Sequence, residues 1–159
     1  DTGRKKYKKQ VMVKDINSGS TYSSPNSLTA VGSTLYFKAD NGTNGYELWK
    51  SDGTTAGTVI VKDIWSDSYV SSSPNSLTAV GNTRYFAAYD ATNGQELWKS
   101  DGTTAGTVMV KDIRSGSSSS SPKSLTAVGS TLYFAAYDAT SGYELWCAEI
   151  NIEMMVQEI

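Results

Sequence analysis

The side chains of this chain that could do chemistry are tryptophans and carboxylates, and both recur at a fixed spacing. Trp49, Trp98 and Trp146 each follow a leucine and lie 49 and 48 residues apart. An indole face packs well on the apolar side of a pyranose, so a ring of them would form stacking platforms for sugars. The plainer reading is that a tryptophan occurring once per repeat packs between neighbouring units. Trp65 differs, because it occurs once, where the other copies carry Asn17 and Arg114, and it lies beside Asp67 and Tyr69. Exposure and ligand contact are expected for Trp65 and Tyr69. The acidic turns Asp40–Gly45, Asp52–Thr54, Asp90–Gly94 and Asp101–Thr103 raise a second chemistry. Asp52, Asp90 and Asp101 could offer oxygens to calcium. Asp-Gly and Asn-Gly are also what tight turns need for backbone reasons, and no Asp-x-Asp-x-Asp-Gly run is present, so calcium is the second reading. Asp15, Asp63 and Asp112 each follow a lysine, which suggests a solvated or inter-unit ion pair. With no histidine in the chain, carboxylates are the only acid and base groups left near neutral pH. Every one of them sits in a repeated position, whereas an active site is normally built once, so the expectation is a protein that is not an enzyme and has no catalytic residues.

Composition narrows the partners. Fourteen basic against sixteen acidic residues leave a net charge of −2, which argues against nucleic-acid binding through a basic face. Only 19% of residues are charged, and Ser, Thr, Asn, Gly and Tyr carry most of the polarity. That profile suits an extracellular or cell-surface protein. Asn41-Gly42-Thr43 matches the glycosylation sequon. Cys147 is the only cysteine, so neither an internal disulfide framework nor a thiolate metal site is expected. No apolar run approaches the roughly twenty residues needed to span a bilayer, so no membrane insertion is expected. The chain opens at Asp1 without an apolar leader, which is read as a leader removed or a piece of a longer protein.

Positioning falls to three near-copies of one unit. Ser-Leu-Thr-Ala-Val-Gly recurs at Ser27–Gly32, Ser76–Gly81 and Ser124–Gly129, and Val-Lys-Asp-Ile at Val13–Ile16, Val61–Ile64 and Val110–Ile113. In the middle copy, Ser76–Val80, Arg84–Tyr89, Glu96–Ser100 and Thr107–Ile113 read as four strands divided by Gly81–Thr83, Asp90–Gly94 and Asp101–Gly106. No window shows helical periodicity. Phe86 and Ala88 should oppose Tyr85, Ala87 and Tyr89, while Val108 and Val110 oppose Met109 and Ile113. Apolar residues on both faces imply sheets sandwiched between sheets. The fold class is all-β, a β-propeller of four-stranded antiparallel blades with about three per chain.

Glu47–Thr54 and Glu96–Thr103 resemble the ELWxxDGT repeat of large bacterial surface and secreted proteins, and the run from Tyr85 to Trp98 resembles kelch and quinoprotein-type propeller blades. The resemblance implies a β-propeller scaffold and no shared reaction. The third copy departs from it, reading Cys147-Ala148-Glu149 after Trp146.

The expected organisation is a basic extension over 1–9, an orphan outer strand over 10–16, and blades over 27–64, 76–113 and 124–159. The last blade ends in a degenerate fourth strand over Glu153–Ile159. Three blades are too few for a ring, so a homo-oligomer is expected, with a dimer giving six blades by strand exchange. Arg4, Lys5, Lys6, Lys8 and Lys9 would face a tail bearing Glu149, Glu153 and Glu158. The alternative is a fragment of a longer ring. The functional expectation is a binding, adhesion or structural scaffold acting through multivalent repeated loops on a glycan or surface protein. The alternatives are a lectin with inter-blade pockets and a piece of a quinoprotein-like or lyase propeller enzyme.

Overall fold

A computed structural model describes residues 9–149, and all regular structure among them is β-strand. The first sheet holds β1 (Asn26–Val31), β2 (Thr34–Asp40), β3 (Tyr46–Ser51) and β4 (Val59–Lys62). The second holds β5 (Asn75–Val80), β6 (Thr83–Asp90), β7 (Gly94–Ser100) and β8 (Val108–Lys111). The third holds β9 (Lys123–Val128), β10 (Thr131–Asp138) and β11 (Gly142–Glu149). Each is an antiparallel meander in chain order, and no sheet closes on itself. Glycines at the tight turns supply the positive φ that two-residue connections need, as at Gly32, Gly81 and Gly129 with φ of 58°, 58° and 59°. The register repeats too: Phe37 faces Trp49, Phe86 faces Trp98 and Phe134 faces Trp146 across the second and third strand of each sheet.

The sheets stack face to face. Tyr36, Leu48 and Val61 of the first meet Phe86, Ala88 and Trp98 of the second. Val80, Tyr85 and Leu97 on the opposite face of the second meet Leu132, Phe134 and Ala136 of the third. Two apolar faces per sheet are what these contacts require, and burial of each large side chain stabilises by roughly 1.5–3 kcal/mol. First strands lie next to one another: the Thr29 hydroxyl donates to the Leu77 carbonyl (3.3 Å) and the Thr78 hydroxyl to that of Leu125 (3.5 Å).

One expectation needs correction. Met109 and Ile113 do not share a face, since Met109 packs between the first two sheets and Ile113 between the last two. Strand β8 ends at Lys111, but the register slips before that: Met109 faces Trp98 and Lys111 faces Leu97, so Val110 is an extra, bulged residue across which the period-2 alternation reverses. Within the single chain, residues 10–16 pair with no other strand among the described residues. They lie instead along the turn between β3 and β4, where the Thr55 hydroxyl donates to the Val13 carbonyl and the Lys14 ammonium to that of Thr58, both at 2.8 Å. Thr104 to Val61 (2.8 Å) and Lys62 to Thr107 (2.9 Å) are the same two bonds one sheet later. Residues 13–16 thus lie against the first sheet as the end of β4 lies against the second. The expected fourth strand over 153–159 and most of the basic extension fall outside the described residues.

Candidate functional site

The acidic turns are closed on themselves. Asp101 accepts from the amide and hydroxyl of Thr103 (2.9 and 2.6 Å), and the Thr103 hydroxyl accepts from the Gly106 amide (2.9 Å). Asp52, Thr54 and Gly57 repeat this circuit. A Cβ on Gly57 or Gly106 would collide with the Asp52 or Asp101 carboxylate, so a glycine is required there by close approach. The threonine bonds hold both carboxylates below their ordinary range. Burial pushes Asp90 up, but bonds from Asn93 and Thr92 outweigh it and leave it lowered. Each of these aspartates is spent on its own turn, and no three His, Cys, Asp or Glu side chains cluster among the described residues.

Trp98 and Trp146 lie in the inter-sheet layers, and Trp49 lies on the outer face of the first sheet with Phe37, Ala39 and Ile16. Trp49 is 5% and Trp98 7% exposed, Trp146 is half-buried, and the indole N–H of each is buried without a hydrogen-bond partner. Lys62 and Lys111 stand over the Trp98 and Trp146 rings, 5.9 and 5.4 Å from their centres. The lysines before Asp15 and Asp63 reach forward to carbonyls, while those aspartates accept from Gly19 and Asn44, so the inter-unit tie is not a neighbouring ion pair.

Glu47 and Glu96, both fully buried, are side chains whose role sequence reasoning missed. Glu47 accepts from the amides of Ile64 (3.0 Å) and Ser72 (2.9 Å) and from the Ser72 hydroxyl (2.5 Å). Glu96 accepts from Ile113 (3.1 Å), from the Ser120 amide (3.1 Å) and from its hydroxyl (2.5 Å). Each glutamate therefore clamps both ends of the linker leaving its sheet. Burial pushes Glu47 up to about 7 against those bonds, and Glu96 in the same direction. The signal available in the sequence was Glu-Leu-Trp recurring with Ser-Ser-Pro or Ser-Ser-Ser-Pro downstream, but only the fold brings those residues within reach.

Where the linker after the second sheet passes the hairpin turn of the third, a cleft of about 490 Å³ forms, lined by Arg114, Ser115, Ser118, Asp138, Thr140 and Trp146. The Arg114 guanidinium lies over Tyr137, 4.6 Å from the ring centre. The Asp138 Oδ1 accepts from the amides of Thr140 and Ser141 (2.7 and 2.6 Å) and so holds its own turn. Asn17 approaches Gly42 at the matching turn of the first sheet. Asn17, Trp65 and Arg114 therefore hold equivalent linker positions, and this position varies between copies. The Trp65 N–H donates to Asp67 (3.0 Å), and Tyr69 is 76% exposed with φ +64°. Trp65 and Tyr69 share a linker, Trp146 lines the cleft after the second sheet, Trp98 stays between the first two sheets, and Trp49 stays buried on the outer face of the first. What this cleft offers is polar groups beside an indole.

Comparison with protein-family models, curated proteins and solved structures finds no match to this chain.

Proposed function

We propose that this chain is a non-enzymatic, extracellular repeat module of β-propeller type, a binding or adhesion scaffold that presents near-identical loops in several copies. Its sheets are blades, and further blades complete the ring. The observation that carries the reading is the recurrence of one linker-to-turn junction with a different residue, Asn17, Trp65 or Arg114, at the same place. An invariant frame with a varied presented residue is what multivalent binding uses, since weak contacts add through effective concentration. Side-by-side first strands, joined through Thr29 and Thr78, support the blade arrangement.

A second reading, carbohydrate binding, is favoured by the cleft between Arg114, Asp138 and Trp146, where polar groups meet an indole. An array of immobilised glycans tests both. Selective binding that Arg114→Ala or Trp65→Ala removes supports the lectin, and uniform silence leaves the scaffold. Turnover or a bound chromophore in the purified chain would count against both.

A further inference from the structure

The outer faces of the first and third sheets are the two halves of a contact this chain makes twice within itself. Leu48 and Leu97 are buried where the next sheet covers them, whereas Leu145, their counterpart, is 74% exposed. Tyr133 and Val128, counterparts of the buried Tyr85 and Val80, are also exposed. At the opposite end Phe37, Ala39 and Trp49 hold the places that Phe86, Ala88 and Trp98 hold toward the first sheet. No sheet lies on them among the described residues, and they are buried by the chain's own Ile16, Leu35 and Ile60 beside a cleft of about 210 Å³ that exposed Leu28 also lines.

The glutamate clamp is split in the same way. Glu144 is exposed, with no described donor, while its equivalents Glu47 and Glu96 are fully buried on linker amides and serine hydroxyls. The matching donors, Ile16 and Ser23, stand before the first sheet, where the Ser23 carbonyl accepts from the Asp40 amide as those of Ser72 and Ser120 accept from Tyr89 and Tyr137. Ser23 holds the place of Ser72 and Ser120 and lacks their glutamate. Among the described residues β11 pairs only with β10, while residues 10–16 have the sequence of a fourth strand and no strand to pair with.

We infer that a second copy of this chain lays its first sheet on the open face of the third sheet, adds its residues 11–14 as a fourth strand beside β11, and closes the split clamp from Glu144 to its Ile16 and Ser23. The inference rests on the ring reading above and names the partner. The register follows from the two complete sheets, where Lys50 faces Val59 and Lys99 faces Val108, with Leu48 facing Lys62 and Leu97 facing Lys111. Transferred, Cys147 faces Val11, Trp146 faces Met12 and Leu145 faces Lys14 of the second copy. Directly opposed residues in an antiparallel pair have Cβ atoms about 4.5–5.5 Å apart, close to what a disulfide needs.

The test is Val11→Cys, which places a second thiol opposite the free, exposed Cys147. Mild oxidation of the 159-residue chain should give covalent species of two or more copies, in which mass spectrometry finds the introduced thiol of one copy joined to Cys147 of another. The same change at exposed Tyr22 should give no such linked peptide. Leu145→Asp, placed at a site that is open in the single chain, should return the solution mass to 17.1 kDa with an unchanged circular dichroism spectrum. Glu144→Ala should weaken association at least tenfold. A wild-type chain that stays at 17.1 kDa at tens of micromolar overturns the inference. So does crosslinking that joins only like positions, introduced thiol to introduced thiol or Cys147 to Cys147, or an edge filled by the chain's own 153–159 that leaves the introduced thiol unlinked. A failed crosslink with a selective glycan signal would remove this interface and keep the binding module, and a crosslink with a silent array would do the reverse.

Discussion

Ser72 is held by Glu47 through two groups at once, its amide at 2.9 Å and its hydroxyl at 2.5 Å, across 25 residues of chain. The carboxylate fixes where the linker re-enters the stack, and so fixes how the second sheet meets the first.

Stability should therefore depend on pH through Glu47. Its carboxyl is raised from 4.5 to about 7 by burial, so the folded chain binds this proton more tightly than the unfolded chain does. The resulting stabilisation is full below pH 4.5 and is lost as pH rises through about 7, a change of at most about 3 kcal/mol. Glu96 acts in the same direction. Urea unfolding between pH 4.5 and 7.5 should show a falling midpoint, and Glu47→Gln should flatten the slope. A slope unchanged by that substitution counts against the assignment.

Asp52 and Asp101 work the other way, because their carboxyls are lowered by threonine donors. Their contribution is present above the ordinary value of 3.8 and lost as pH falls below it. Combined with the glutamates, the unfolding midpoint should peak near pH 4 to 5 and decline on both sides.

Gly106→Ala should destabilise by about 1–3 kcal/mol through the added methyl meeting Asp101. In the Asp101→Ala background the same change should cost markedly less, since the collision is gone. A double-mutant cycle in chemical denaturation reads the coupling.

Trp98→Ala should cost about 3–5 kcal/mol, as expected for emptying a core site. Trp98→Phe should cost far less than that, because the buried indole N–H has no acceptor to lose. Denaturation midpoints compare the two directly.

Calcium addition or chelation should shift the melting temperature by less than about 1 °C, since among the described residues no three carboxylates cluster and Asp52, Asp90 and Asp101 each hold their own turn. A clear upward shift on adding calcium would revive the metal reading at Asp52, Asp90 and Asp101.

The strands, their antiparallel order and the turn chemistry were legible in the sequence, because alternation, β-branched runs and Asp-Gly or Asn-Gly pairs act within a few residues. Pairing of Phe86 with Trp98 is of this kind, set by the length of one hairpin. Tertiary structure decided what depends on residues far apart. Met109 and Ile113 part company because a bulge at Val110 reverses the alternation within β8, and residues 10–16 pair with no strand among the described residues. Glu47 looks like any surface glutamate until the fold places Ile64 and Ser72 around it and water is excluded, and burial then turns an ordinary carboxyl into a clamp. Leu97 and Leu145 are the same residue in the same motif, yet one is buried and the other open, because burial belongs to the neighbouring sheet and not to the segment that carries the side chain.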